Sequence, residues 1–232
     1  MGKGIFIIGT DTDIGKTFVT GGIVYKLKTQ GYSTIPYKPI QSGGIKNDDT
    51  LISPDIRYIK EICDLEYSYK EMNTYCLHNE VSPHLAAKIE NVNILKDNII
   101  KQYKKLSDKY DYIVVEGAGG IVVPLINNEY YIYDLIKDLD LDVVIVTSPG
   151  VGTINHTVLT HEFLKSKNIN CKGIFINRYR GKFYEDDNIN VIKNITKLDI
   201  LEIIHKIDSL KNENIKKEYD NLDINNLMSM FK

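Results

Sequence analysis

The amino-acid sequence predicts an α/β fold in which a mostly parallel sheet carries helices on both faces. Three features support this prediction. Short apolar runs alternate with longer segments of helical periodicity, as successive βαβ units require. The apolar runs are rich in Ile and Val and nearly continuous, which is typical of strands buried on both faces. The first run leads through a glycine-containing loop into a helical segment.

Six segments fit the strand pattern, and the sixth fits it least well. Each is short, apolar and bounded by polar or turn-forming residues. We predict strands at Ile5–Gly9, Thr34–Lys38, Tyr112–Glu116, Val143–Thr147, Gly173–Asn177 and Ile200–His205.

The first predicted helix follows the first strand closely. In the segment Lys16–Gln30, the apolar residues Val19, Ile23 and Leu27 recur at the spacing of one helical stripe. Gly31 then stands where a glycine commonly ends a helix.

Further helices are predicted between the later strands. The segments "SPDIRYIKEI" and "SPHLAAKIE" each begin with a serine that can cap a helix and a proline suited to its first turn. Another helix is predicted at Thr153–Lys167, after a glycine-containing turn. The polar tail "KKEYDNLDINNLMSMFK" is predicted to pack as a terminal helix.

Composition narrows the class of protein. The chain has 232 residues, a net charge of −2 and no long linker, so we predict one domain over residues 1–232. The charge argues against a nucleic-acid binder, and the longest apolar run is broken by Glu and Gly, so we expect no membrane span. Three widely spaced cysteines form no metal or redox motif, which favours a reducing, cytoplasmic location.

The loop "GTDTDIGKT", from Gly9 to Thr17, has the context of a phosphate-binding loop but five residues, rather than four, before Gly15-Lys16-Thr17. Backbone N–H groups of such a turn and the positive end of the following helix point at one anion. Lys16 would reach the outer phosphates, and the Thr17 hydroxyl would bind Mg²⁺. This predicts a P-loop NTPase-type fold. The alternative is an ordinary strand–helix turn with a surface lysine.

Two other strand ends carry charged residues. "YIVVEGAGG" ends in Glu116 before a glycine-rich turn, where a carboxylate can bind Mg²⁺ and a ligand can approach the backbone closely. "YKPIQSGG" places Lys38 at the carboxyl edge of the sheet, where open α/β sheets bind ligands. Lys16 and Lys38 would converge on one anionic centre, which suits transfer through a doubly anionic intermediate. The alternative is that both strand-end charges are simply solvated.

The segment "TSPGVGTINH" is a candidate for a second anion site. It follows a strand and opens a helix near Thr153, so its free N–H groups could hold a carboxylate. A plain βα loop is the alternative. The five histidines show no zinc-binding i,i+4 pair and are interpreted as surface or packing residues.

Five segments, in order, resemble dethiobiotin synthetase: "GTDTDIGKT", "YKPIQSG", "SPHLAA", "VVEGAGGIVVPL" and "GTINH". The resemblance covers roughly residues 3–177, and the long phosphate loop is itself the family's form. It implies a P-loop α/β homodimer. It also implies a reaction that joins 7,8-diaminononanoate (diaminopelargonate) with CO₂, using Mg-ATP, to make the cyclic urea dethiobiotin in biotin biosynthesis. The expected path runs through a carbamate and a carbamic–phosphoric mixed anhydride.

The resemblance assigns the charged residues of the site. Lys16 and Lys38 are implied to stabilise the anionic carbamate and phosphoryl oxygens. Thr17, Asp55 and Glu116 are implied to hold Mg²⁺. Asp55, in "SPDIRY", is identified by the resemblance alone, because spacing would not have selected it.

The resemblance also assigns the binding residues. Ser42 is implied to contact the carbamate or the amines. The turn Gly150–Asn155, with Gly152 and Asn155, is implied to take the substrate carboxylate across the dimer interface. Asn177 resembles the family's adenine-binding asparagine. The remaining nucleotide-binding residues are those of the loop, namely Thr12, Asp13, Ile14, Gly15, Lys16 and Thr17.

The two loop acids and one departure from the family qualify this interpretation. Asp13 stands where the family carries an acid and could face Mg²⁺ or a substrate ammonium, whereas Asp11 could bond the backbone of its own loop. The sequence leaves both roles open.

After the sixth strand the family often has a Gly-x-Ile/Leu-Pro wall for the base, but this chain reads "ILEIIHKIDSL". We therefore expect weak discrimination between ATP and other triphosphates.

The first rival interpretation is a ParA/MinD-like regulatory ATPase. Such proteins usually carry a lysine five positions before the loop lysine, where this chain has Asp11, and often end in a basic amphipathic helix that the tail does not match. A second rival, an amide-forming synthetase acting on a corrinoid-like acid, generally needs a glutamine-hydrolysing domain for which 232 residues leave little room. A third, an inactive nucleotide-binding protein, is opposed by Lys16, Lys38 and Glu116.

Overall fold

The computed structural model describes residues 1–231, which contain eleven strands and ten helices. The strands are β1 (Lys3–Gly9), β2 (Thr34–Gln41), β3 (Ile45–Asn47), β4 (Thr50–Ile52), β5 (Asn73–Cys76), β6 (Tyr112–Glu116), β7 (Pro124–Ile126), β8 (Tyr130–Tyr131), β9 (Val143–Thr147), β10 (Cys171–Tyr179) and β11 (Ile200–His205). The helices are α1 (Lys16–Thr29), α2 (Pro54–Ile62), α3 (Tyr69–Met72), α4 (Pro83–Ile89), α5 (Lys96–Lys109), α6 (Ile132–Asp138), α7 (Thr153–Ser166), α8 (Glu185–Thr196), α9 (Asn212–Asp220) and α10 (Ile224–Ser229).

Seven strands form one sheet in the order β11-β10-β9-β1-β6-β2-β5. All six pairings within it are parallel, so the predicted α/β fold with a mostly parallel sheet is confirmed. In the central strand β1, Ile5–Ile8 are buried on both faces, as the continuous apolar runs predicted. The carboxyl ends of β1, β2, β6 and β10 therefore meet at one edge.

The strand predictions were accurate at the centre of the sheet and incomplete at its margins. β6, β9 and β11 have the predicted bounds, whereas β1, β2 and β10 are longer than predicted. The edge strand β5 and the two hairpins were not predicted, because their strands are short and carry no periodic signal. That residues 1–232 form a single domain stays a prediction.

The helix-capping predictions had mixed outcomes. Ser53 caps α2 as predicted, since its hydroxyl accepts the Ile56 N–H at 3.1 Å. The prediction for Ser82 was wrong in detail, because Ser82 precedes α4 but makes no side-chain cap hydrogen bond. Gly31 follows α1 with φ +86°, the left-handed conformation expected of a terminating glycine.

The tail forms two short helices rather than the single one predicted. α9 ends at Asp220, and the Asp223 carboxylate caps the start of α10 by accepting the Asn225 N–H at 2.8 Å. The last residue of the predicted segment, Lys232, lies outside the described residues. Within residues 1–231, no helix combines the length and apolar character needed to cross a bilayer.

Tyr219 attaches this tail to the helix that follows the phosphate loop. Its ring is fully buried against Gly21 and Gly22 of α1. Its hydroxyl donates to the Phe18 carbonyl at 2.7 Å and lies 2.9 Å from the Tyr58 hydroxyl. One side chain thereby joins α1, α2 and α9.

We expect Tyr219→Phe to lower the free energy of unfolding by about 1–3 kcal/mol. The Phe18 carbonyl and the Tyr58 hydroxyl then lose a hydrogen-bond partner. Urea unfolding followed by circular dichroism measures this. Tyr32→Phe is the matched control, since the Tyr32 ring lies at the surface, and it should change stability by no more than about 0.5 kcal/mol. Equal stability of the two variants would contradict the prediction.

Candidate active site

The loop between β1 and α1 has the geometry of a phosphate-binding turn. Gly15 precedes α1 with φ +96°, and a Cβ at this position would lie 2.0 Å from Asn177 Nδ2. Only glycine fits there without displacing Asn177. Asp11 bonds the backbone of its own loop, with Oδ1 accepting the Thr12 N–H at 2.7 Å, which is one of the two roles that the sequence left open.

Lys16 begins α1 and points back over the loop. Its Nζ donates to the Asp11 carbonyl at 3.2 Å, and the side chain is largely buried. Burial, together with the nearby charge of Lys38, lowers the pKa of Lys16 below its usual value. An anion bound in this loop would restore favourable charge around the ammonium.

Four side chains from different elements meet beside Lys16. Lys38 lies within β2, level with the end of β6, and its Nζ is 2.6 Å from Asp55 Oδ2 and 2.8 Å from Glu116 Oε1. It also donates to the Gly117 carbonyl at 3.0 Å. The Thr17 hydroxyl donates to the same Glu116 Oε1 at 2.9 Å. The parallel topology brings these residues together although 99 positions separate Thr17 from Glu116.

In this group of side chains, the effect of burial on each pKa competes with the charges of the neighbouring residues. Burial alone would lower the pKa of Lys38, but Glu116 and Asp55 raise it above its usual value, so Lys38 is a cation. Burial raises the pKa of Glu116, and Asp55 adds to the increase. Burial also opposes ionisation of Asp55, but Lys38 outweighs it and lowers the Asp55 pKa. The site thus holds a fixed cation between two competing carboxyl groups.

The residues present fit a magnesium ion. Thr17, Asp55 and Glu116 supply oxygen atoms only, and Glu116 Oε2 is buried without a hydrogen-bond partner in the described part of the chain. Among residues 1–231, no three His, Cys, Asp or Glu side chains form a metal cluster. Few protein ligands, all of them oxygen, is the pattern that Mg²⁺ prefers.

These side chains open into one large cavity of about 1200 Å³. Ser42 lies on its wall, with a buried hydroxyl that has no partner within residues 1–231. Predicted site residues that line the cavity are Thr12, Asp13, Gly15, Lys16, Thr17, Lys38, Ser42, Asp55, Glu116 and Asn177. Ile14 does not line the cavity, but its carbonyl accepts the Asn177 amide at 2.9 Å.

Gly152 and Asn155 do not join this cavity within one chain. Both are exposed at the start of α7, and Gly152 has φ +89° with open space around it. The turn is supported from inside by hydroxyl groups, since Thr147 Oγ1 lies 3.0 Å from both Thr153 Oγ1 and Thr157 Oγ1. That Gly152 and Asn155 act in the site of a partner subunit stays a prediction.

Sequence reasoning missed two residues that shape the site. Gln41 accepts the Ser53 hydroxyl at 2.7 Å, and so fixes the start of the helix that carries Asp55. Arg178, next to Asn177, lines the cavity. Neither position carries a signal in a single sequence, apart from the closeness of Gln41 to Lys38 and Ser42.

The likeness to known proteins agrees with this geometry. A family model described as an AAA domain matches residues 3–214. ATP-dependent dethiobiotin synthetase BioD of Clostridium novyi (strain NT) is 45% identical over 228 residues, which cover 96% of this chain and 96% of that protein.

Among solved structures, a ParA family ATPase from Chlorobium tepidum TLS has a TM-score of 0.61 at 14% identity, covering 94% of this chain and 89% of that one. The septum site-determining protein MinD from Pyrococcus horikoshii OT3, complexed with Mg-ADP, has a TM-score of 0.59 at 16% identity, covering 99% and 94%. Such low identities show the fold alone, which is that of P-loop ATPases. With relatives this similar over almost its full length, the chain belongs to the ATP-dependent dethiobiotin synthetase family.

Proposed function

We propose that this chain is an ATP-dependent ligase of biotin biosynthesis that joins 7,8-diaminononanoate with CO₂ to form dethiobiotin, ADP and phosphate. The observation that carries the proposal is the convergence of Lys16 and Lys38 on one cavity that also contains Glu116 and Asp55. Simple nucleotide hydrolysis does not need the second lysine. A transfer through a doubly anionic intermediate does, because two negative groups must approach each other.

The proposed reaction has three steps. One substrate amine attacks CO₂ and loses a proton, which gives a carbamate. A carbamate oxygen attacks the γ-phosphorus of ATP, so that ADP leaves and a carbamic–phosphoric anhydride forms. The second amine attacks the carbonyl carbon, loses a proton and expels phosphate, which closes the urea ring.

The residues act mainly by positioning and charge neutralisation. Lys16 neutralises the phosphoryl oxygens, and Lys38, held within β2 by Asp55 and Glu116, neutralises the carbamate. Ser42 offers its free hydroxyl to the carbamate or the amines. Asp13, which lines the cavity near Lys16, provides negative charge for a substrate ammonium.

A magnesium ion is the cofactor in this proposal. Thr17, Asp55 and Glu116 would hold it, and it would supply charge neutralisation for the triphosphate. The free Oε2 of Glu116 and the oxygen-only donor set support this assignment.

The proposed working unit is a homodimer of single-domain subunits. The N-terminal turn of α7, with Gly152 and Asn155, would bind the substrate carboxylate in the partner's cavity. Support comes from apolar residues exposed beside this turn, since Val151 and Leu159 are 93% and 61% exposed in the single chain. Apolar side chains this exposed are candidates for burial in an interface.

We expect weak discrimination among nucleoside triphosphates. The segment after β11 lines the cavity with His205, Lys206, Ile207 and Asp208 and contains no Gly or Pro. Assays with ATP, CTP and GTP at equal concentrations should give rates within about tenfold, because the segment lacks the Gly-x-Ile/Leu-Pro wall that would select one base. A strong preference for ATP would contradict this prediction.

The test of the proposed function is direct product detection. Purified protein is incubated with 7,8-diaminononanoate, ¹³C-bicarbonate and Mg-ATP, and labelled dethiobiotin and ADP are measured by mass spectrometry. Equal amounts of labelled product and ADP, with none when ATP is omitted, support the ligase. ATP hydrolysis without product would contradict the proposed ligase activity and favour a ParA/MinD-like switch ATPase. That alternative is supported only by similarity of fold.

A further inference from the structure

A group of threonine hydroxyls connects the phosphate loop to the N-terminal turn of α7. Thr147, the last residue of β9, lies at its centre. Its Oγ1 is 3.2 Å from Thr10 Oγ1, 3.0 Å from Thr153 Oγ1 and 3.0 Å from Thr157 Oγ1. These four residues are here called the threonine cluster. Bonds between two side chains are a minority of protein hydrogen bonds, so a cluster of hydroxyls bonded to each other indicates a specific arrangement.

The Thr147 hydroxyl uses its whole hydrogen-bonding capacity in this cluster. It is buried and accepts the Thr157 hydroxyl. A hydroxyl has one donor and two acceptor positions, so of its two remaining bonds one donates and the other accepts. The direction of the bond to Thr10 therefore fixes the direction of the bond to Thr153. A change at one end of the cluster reaches the other end through a single side chain.

The loop end of the cluster is sensitive to phosphate. Thr10 directly precedes Asp11, whose carbonyl accepts the Lys16 ammonium at 3.2 Å. The Thr10 N–H donates to the Val146 carbonyl at 3.1 Å, which ties the start of the loop to the end of β9. A phosphate in the loop competes with the Asp11 carbonyl for Lys16, because hydrogen bonds between charged groups are the stronger ones. Nucleotide binding therefore changes the contacts of the residue next to Thr10.

The other end of the cluster supports the turn that is proposed to bind the substrate carboxylate. Thr153 is the first residue of α7 and directly follows Gly152. Earlier in the turn, Asn188 Nδ2 donates to the Pro149 carbonyl at 2.9 Å and lies 3.3 Å from the Gly150 carbonyl. The turn is thus held at one end by α8 and at the other by the threonine cluster, so the position of Thr153 sets the direction of its N–H groups.

We propose that Thr147 is a positioning residue that links nucleotide binding in one subunit to binding of the diamine carboxylate in the partner's cavity. This inference rests on the proposed function, since it uses the nucleotide loop and the α7 turn assigned there. Phosphate in the loop selects one hydrogen-bonded arrangement of Thr147, and that arrangement holds the turn in the geometry that receives the carboxylate. Each ligand therefore strengthens binding of the other, and linkage makes the two effects equal.

The test measures the affinity of 7,8-diaminononanoate with and without saturating Mg-AMP-PNP, a non-hydrolysable ATP analogue. Isothermal titration is run on the wild-type chain and on Thr147→Val, Thr147→Ser, Thr10→Val and Thr34→Val. In the wild type the analogue should tighten diamine binding by about fivefold or more. Thr147→Val and Thr10→Val, which lack the linking hydroxyl, should reduce this factor below about twofold. Thr147→Ser keeps the hydroxyl and should retain the wild-type factor.

Thr34 provides the matched control. It is a buried threonine that begins β2, at the opposite edge of the sheet from the site, so Thr34→Val should keep the wild-type factor. Mg-AMP-PNP alone should bind every variant within about threefold of the wild type, which verifies that each is folded. Thr10→Val leaves the bonds of Thr147 to α7 in place, so it tests the link even if Thr147→Val is unstable. Diamine binding that the analogue does not strengthen in the wild type, or an unchanged factor in Thr10→Val, would overturn the inference.

Hydrogen exchange separates failure of this inference from failure of the proposed function, because it needs no diamine. Deuterium uptake by the turn, residues 150–156, is followed by mass spectrometry with and without Mg-AMP-PNP. The analogue should slow exchange by about threefold or more in the wild type and in Thr147→Ser, but not in Thr147→Val or Thr10→Val. Slowed exchange without any diamine binding would contradict the proposed substrate and support the link between loop and turn. Equal exchange with and without the analogue in the wild type would overturn the link, whatever the ligase assay shows.

Discussion

Replacing Lys38 with alanine is expected to abolish ring closure while ATP binding persists. In the proposed site the Lys38 ammonium neutralises the carbamate, and loss of one such contact lowers kcat by about 10²–10³-fold. ATP affinity should change by less than about fivefold, since the phosphates belong to Lys16 and the loop. Single-turnover product formation and ATP titration measure the two quantities.

The variant also removes the partner of two buried carboxyl groups, so its fold must be checked. Lys38 lies 2.6 Å and 2.8 Å from Asp55 and Glu116, and an unpaired buried charge is destabilising. Lys38→Gln keeps a hydrogen-bond donor without charge and should lose turnover equally while retaining more stability. Lys109→Ala, which breaks a surface ion pair with Glu71, is the control and should be fully active. Normal turnover in Lys38→Gln would show that this charge is not used in the reaction.

The parts of the fold and site that the sequence predicted are those with a local physical signal. Continuous apolar runs identified β6 and β9 to the residue, because strands buried on both faces must be apolar throughout. The phosphate loop was recognisable because Gly15, Lys16 and Thr17 are adjacent in the chain. Lys38 and Glu116 were predicted because each ends a predicted strand, and parallel topology brings such ends together. In the structure β2 continues past Lys38 to Gln41, but its pairing with β6 still places Lys38 level with Glu116.

The parts that the sequence alone did not predict depend on contacts between distant segments. Asp55 reaches Lys38 only because Gln41 and Ser53 fix the start of α2, so a family resemblance was needed to identify it. Ser82 matches a capping pattern but makes no such bond, since the local signal does not guarantee the geometry. The left-handed backbone of Arg178, with φ +65°, lies in a shift of the register between β10 and β11 that no motif encodes.

Subunit mixing is expected to restore activity to two variants that are each inactive or weak alone. Gly152→Val should lower kcat/KM by about tenfold to hundredfold, because a β-branched residue at φ +89° distorts the turn proposed to bind the substrate carboxylate. Gly152 is exposed with open space around it, so the damage should stay local. Lys38→Ala retains an intact turn.

If the turn acts in the partner's cavity, a mixed dimer contains one native site. The Gly152→Val subunit supplies an intact Lys38, and the Lys38→Ala subunit supplies an intact turn to the same cavity. Random reassortment of equal amounts makes half of the dimers mixed, with one active site in two, so activity should return to about a quarter of wild type. If Gly152 instead served the cavity of its own chain, every site in every dimer would carry one defect. The mixture would then be no more active than the average of its components, and the proposed exchange between subunits would be wrong. Steady-state assay before and after reassortment therefore distinguishes the two arrangements, since only the shared site gains activity from contact between two damaged chains.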